Sequence, residues 1–124
     1  MTRYLLDTNI VSELMRSPQG AVAKRIAQLP EGAVATSVIV IAEVRYGLAK
    51  RGSARLAVQL EEILEGLPTL AFEPPAGEVY GVVRCDLERR GLPIGASDLF
   101  IAAHALALDA ILVSDNEREF SRVE

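Results

Sequence analysis

Short apolar runs alternate along this chain with longer stretches in which apolar residues recur every three or four positions. That alternation predicts strands interleaved with helices, hence an α/β fold with a mainly parallel central sheet of about four to five strands flanked by helices. Tyr4–Leu6 reads as a buried strand, and Thr8–Arg16 as a short helix closed by Ser17-Pro18. Ala21–Gln28 is a second helix, ending at Leu29-Pro30. Ala33–Thr36 returns as a strand. Ser37 then caps a helix from Val38 to Lys50, which stops near Gly52. Across Ser53–Gly66, Leu56, Leu60, Ile63, Leu64 and Leu67 form one stripe, with Glu61, Glu62 and Glu65 opposite. Leu70–Phe72 is a third strand before Pro74-Pro75. Ala76–Arg90 is a helix with Val79, Val82, Val83 and Leu87 turned inward. Gly95-Ala96-Ser97 leads into a helix from Asp98 to Leu108, and Ala110–Ser114 is the last strand.

No repeat, low-complexity run or linker divides the 124 residues, so the expectation is one domain over residues 1–124. No apolar stretch is longer than Val38 to Ala42, which is far short of a membrane span, and no secretory leader is expected. A single cysteine, Cys85, excludes an internal disulfide framework and fits a cytoplasmic protein; that residue is expected to be a small buried hydrophobe. One Cys and one His leave no material for a thiolate or imidazole zinc cluster, while a site built of carboxylates stays open. The net charge of −4 speaks against a broad basic face for nucleic acid. It does not speak against an enzyme in which bound cations meet the phosphate.

Four acids interrupt apolar segments. Asp7 and Asp115 each follow the carboxyl end of a strand, where ligands gather in an open α/β sheet. Glu43 stands inside Val38-Ile39-Val40-Ile41-Ala42-Glu43-Val44, and Asp98 opens its helix. Each has a structural alternative. Asp7 or Thr8 suits an N-cap, Asp98 in a first turn suits the helix dipole, Asp115-Asn116 is an ordinary turn pair, and Glu43 suits the polar side of an amphipathic helix. The apolar residues around Glu43 predict partial burial, and no Lys or Arg lies three or four residues away to pair with it. Strand ends and adjacent helix starts converge on one sheet edge, so the four carboxylates are expected to share one pocket. Crowded carboxylates repel unless protonated or bridged, and Mg²⁺ or Mn²⁺ is the natural counter-charge. Divalent ions lower the pKa of water and clamp both oxygens of an in-line phosphoryl displacement, which needs no Ser, His or Cys nucleophile.

Taken together, Leu5-Leu6-Asp7-Thr8-Asn9-Ile10, Ala42-Glu43-Val44-x-Tyr46-Gly47, Pro93-Ile94-Gly95-Ala96-Ser97-Asp98-x-x-Ile101-Ala102-Ala103-His104-Ala105 and Leu112-Val113-Ser114-Asp115-Asn116-x-x-x-Phe120 resemble the PIN-domain family, most of all its VapC-type toxins. The resemblance covers almost the whole chain, with four motifs in order. It implies an Mg²⁺-dependent endoribonuclease, Mn²⁺ substituting, that is a homodimer held inactive by a cognate antitoxin and meets DNA only through that antitoxin. Asp7, Glu43 and Asp98 match the family's metal-binding acids, with Asp115 assigned as the fourth and Glu119 in reserve. Thr8 and Asn9 match polar residues that support the first Asp, and Ser97 and Asn116 flank the later acids. Arg84 matches a position often basic in such toxins and is expected to meet RNA phosphate. Relatives commonly run on into a final strand past the point where this sequence stops, so either that edge strand is absent or the sequence is truncated. Two alternatives accompany the nuclease: a catalytically silent PIN-fold binding module, and a metal phosphohydrolase acting on DNA or other phosphoesters. His104, in an Ala- and Leu-rich helix, is expected to be packed rather than catalytic. Lys50-Arg51 and Arg89-Arg90 lie near helix C-termini, where cations are favoured in any case.

Overall fold

The computed structural model describes residues 2–115 and residue 123. Asn116 and Glu119 lie outside the described residues. The elements run β1 (Tyr4–Leu6), α1 (Thr8–Arg16), α2 (Ala21–Ala27), β2 (Val34–Ser37), α3 (Val38–Arg51), α4 (Ala54–Gly66), β3 (Thr69–Leu70), α5 (Ala76–Arg89), α6 (Ala96–Ala107) and β4 (Ile111–Val113). The four strands form one wholly parallel sheet in the order β3-β2-β1-β4. Leu5 and Leu6 of β1 and all of β2 are buried, as parallel strands covered on both faces require. Register sets Leu6 opposite Thr36 on one side and Val113 on the other.

A single apolar cluster joins Leu6 to Val11, Leu14 and Met15 of α1, Val40, Ile41 and Val44 of α3, Leu60 of α4 and Ile101 of α6. Thr36, wholly buried in β2, donates from Oγ1 to the Leu6 carbonyl at 2.8 Å and so fixes the end of β1. Caps set where the helices begin and end. Asp7 caps α1, the Ser37 hydroxyl accepts from the Ile39 amide at 3.0 Å, and Gly52, at φ 68°, closes α3 in the left-handed region that glycine enters freely.

Four sequence-based expectations need correction. The strand expected at Leu70–Phe72 is only Thr69–Leu70, because the Phe72 ring turns away to pack edge-on against Phe100 and His104. Val82 is 70% exposed rather than inward, and Cys85 is exposed rather than buried. Helix α5 packs mainly against α6, so its covered stripe narrows to Ala76, Val79, Val83 and Leu87. Glu43 is also exposed, since α3 buries only the face bearing Val40, Ile41 and Val44 and turns Ala42, Glu43, Arg45 and Tyr46 outward. His104, by contrast, is packed as expected, with 1% of its surface exposed. Among the described residues, no helix is long and apolar enough to cross a membrane.

Candidate active site

The carboxyl edge of the sheet gathers the polar chemistry. Strand β1 ends and Asp7 follows, 2% exposed. Its backbone amide donates to the Val113 carbonyl at 2.9 Å, continuing the β1–β4 ladder by one step and setting Asp7 beside Ser114. The Ser114 hydroxyl donates to Asp7 Oδ2 at 2.6 Å, and the Thr8 amide donates to Oδ1 at 2.7 Å. Both carboxylate oxygens therefore face hydrogen-bond donors, and Asp7 is at once the N-cap of α1 and a buried acid at the strand end. Thr8 supports it through its backbone rather than its hydroxyl.

Asn9 does not support Asp7. Two residues on, its Nδ2 donates to Asp115 Oδ1 at 2.9 Å, because the first turn of α1 swings it towards solvent and the end of β4. Asp115 is exposed.

Helices α3 and α6 make the other half of the edge. Ser97 donates from Oγ to Glu43 Oε1 at 2.7 Å, joining positions 54 apart in sequence. Asp98 is half-buried in the first turn of α6. Behind this pair, His104 Nδ1 stands 2.7 Å from Ser37 Oγ, the hydroxyl that caps α3. His104 Nε2 is buried and makes no well-formed hydrogen bond among the described residues. Burial holds the His104 pKa below the usual imidazole value; the Ala71 backbone and the Glu73 carboxylate favour the proton and oppose that shift.

Arg84 lies on α5, where it lines a cavity of about 170 Å³ with Pro93, Ile94 and Ala96 at the entry to α6. Its guanidinium donates to Glu88 at 3.0 Å and to the Tyr80 hydroxyl at 3.2 Å, and both contacts hold it more firmly charged. The Tyr80 ring stacks on Phe100 at 4.1 Å between centroids.

The four acids do not converge on one point. Among the described residues, no three His, Cys, Asp or Glu side chains stand close enough to hold a metal ion. Like charges repel, and here Asp7, Glu43 and Asp115 each turn to a neutral hydroxyl or amide donor instead. The chemistry of the donor set nevertheless fits a hard cation. It is all oxygen, and no ion pair among the described residues engages Asp7, Glu43 or Asp115.

Motif reading missed Ser114 and the Ser37–His104 pair. Ser114 becomes visible only once β4 is known to lie beside β1 in register. The pair could be suspected from a lone histidine in an apolar helix and a serine at a helix start, but nothing in the sequence joins them.

Comparison with known proteins supplies the family. The PIN domain family model matches residues 4–124. The chain is 36% identical over 124 residues to ribonuclease VapC2 of Haemophilus influenzae, covering 99% of this chain and 93% of that protein. It is 33% identical over 125 residues to the tRNA(fMet)-specific endonuclease VapC of Shigella flexneri, with the same coverage. The crystal structure of VapBC2 from Rickettsia felis, bound to a DNA fragment from its promoter, superposes with a TM-score of 0.90 at 34% identity, covering 98% of this chain and 93% of the other. Family model, sequence identity and fold agree: the chain belongs to the PIN-domain family, in its VapC branch.

Proposed function

We propose that this protein is an Mg²⁺-dependent endoribonuclease toxin neutralised by a cognate antitoxin. The observation that carries the reading is the Ser97–Glu43 hydrogen bond, which draws Glu43 to the first turn of α6, where Asp98 stands. Asp7 stands at the end of the central strand of the same sheet edge, and Thr8 and Glu43 line one cleft. Relatives named ribonuclease or endonuclease VapC support the activity, and neighbours solved as VapBC complexes support the partner.

Asp7, Glu43, Asp98 and Asp115 hold the cation in this reading. When bound, the ion supplies Lewis-acid activation of water and stabilisation of the leaving oxygen. The Ser114 hydroxyl and Thr8 amide orient Asp7, Ser97 orients Glu43, and Asn9 orients Asp115. Arg84, fixed by Glu88 and Tyr80 beside the entry to α6, meets RNA phosphate. The antitoxin inhibits by presenting a cation to these carboxylates, the toxin acts as a homodimer, and DNA is reached only through the antitoxin.

The silent binding module draws on a different observation, that the described acids gather no ready three-carboxylate cluster. Incubation of the purified protein with RNA and with single-stranded DNA separates the readings. The nuclease cleaves RNA with Mg²⁺ and loses that activity in EDTA and in Asp7→Asn. Cleavage undiminished in both controls removes metal-assisted catalysis at this site. No cleavage, with growth unharmed when the protein is expressed without its partner, leaves the binding module. Preference for DNA makes it a phosphohydrolase of another substrate.

A further inference from the structure

We infer that the groove between α1 and α3 is a phosphate-binding extension of the site, in which Arg16 and Arg51 hold a backbone phosphate of the RNA strand flanking the scissile one. The inference rests on the nuclease reading.

The two helices present matched faces. Thr8, Ser12 and Arg16 follow one another at four-residue steps along α1, and Glu43, Gly47 and Arg51 do so along α3. All six line one cleft of about 190 Å³. Its acid end opens on the candidate site, and its arginine end lies about 12 Å away by helical rise. A strand laid along this groove has one phosphate at the carboxylates, where cations neutralise it, and a later one at a guanidinium pair. Arginine binds phosphate in a bidentate fork.

Helix-dipole stabilisation explains a cation in the last turn of each helix, but not why both face the same groove. Arg51 makes no ion pair among the described residues. Among the described residues, Arg16 holds only an exposed intrahelical contact with Glu13 at 3.0 Å, which a phosphate can displace. Lys50 and Arg55 are exposed at the same α3–α4 corner. In a chain of net charge −4, that corner concentrates positive charge where a polyanion would pass.

Gly47 is an independent sign. Glycine inside a helix is unfavourable relative to alanine, and a Cβ built at Gly47 meets nothing within 4 Å. Packing therefore does not require the glycine, and its missing side chain leaves the groove wider at that point.

Single-turnover cleavage of a single-stranded RNA by the full chain, across a salt series, tests this. Arg51→Ala and Arg16→Ala should each raise the half-saturating concentration about fivefold, leave the maximal rate within about twofold, and reduce the slope of log affinity against log salt by about 0.7 per lost phosphate contact. Gly47→Gln, which fills the groove without removing a charge, should weaken binding with the slope unchanged. Circular dichroism establishes that each variant is folded. Folded variants that match wild type in affinity and slope overturn the inference while leaving the nuclease standing, and assign the groove to the protein partner if they instead weaken antitoxin binding. A wild-type chain that neither binds nor cleaves RNA overturns both.

Discussion

Ser97 and Glu43, 54 positions apart, meet through a 2.7 Å hydrogen bond that links α6 to α3 at the carboxyl edge of the sheet. Glu43 is exposed, so burial does not hold its carboxylate in place; the Ser97 hydroxyl does. Ser97→Ala should leave the fold intact and weaken Mg²⁺ affinity by about 10-fold, the low end for losing a hydrogen-bond partner of a metal-ligating group. Titrating cleavage against Mg²⁺ measures it. An unchanged Mg²⁺ dependence would show that Glu43 is not a ligand or needs no orientation.

Asp7 has two duties that substitution can separate. Asparagine caps a helix about as well as aspartate, and it retains an oxygen for the Ser114 hydroxyl or the Thr8 amide. Asp7→Asn should therefore unfold within about 1 kcal/mol of wild type and yet lose cleavage by about 100-fold or more. Asp7→Ala removes the cap and leaves donors unmatched, so it should cost about 1–3 kcal/mol as well. Urea midpoints beside cleavage rates distinguish the two.

His104 makes stability depend on pH. Its folded pKa lies below the unfolded value, so the unfolded chain takes up the proton first as pH falls. The stability is fully present above about pH 6.5 and declines below it, by at most ~1.4 kcal/mol per pH unit, until the folded pKa is reached. His104→Gln should flatten that part of the profile. Urea unfolding of both proteins from pH 7.5 to 5 reads the difference, and parallel profiles would contradict the assignment.

Thr36→Val keeps shape and volume but removes the buried bond to the Leu6 carbonyl. The expected cost is about 1 kcal/mol, or a fall of about 4 °C in Tm for a domain of this size. Cleavage at 25 °C should stay within a few-fold of wild type, because Asp7 keeps its own hydrogen bonds to Thr8 and Ser114.

Local rules made much of this protein legible before any coordinates. The apolar run Tyr4–Leu6, the cap at Ser37, the stop at Gly52 and the periodic Leu56–Leu67 stripe all depend on neighbours a few residues away, and they placed the elements to within a residue or two. The parallel sheet followed from strands alternating with helices, and the acids stood out because each interrupts an apolar segment. Which face of a helix finds cover is a different kind of fact. Val82, Cys85 and Glu43 look inward by composition but lie exposed, since α5 and α3 are each covered on one side only.

What the chain settled by itself was the kind and order of its elements, because hydrogen bonding and helix or strand periodicity act over short separations. Tertiary structure alone decided who meets whom. Ser114 reaches Asp7 because β4 pairs with β1, Asn9 goes to Asp115 instead of Asp7, and His104 finds Ser37 across 67 positions. Those contacts depend on how the sheet is ordered and how the helices pack on it, which is a property of the closed core and not of any one segment.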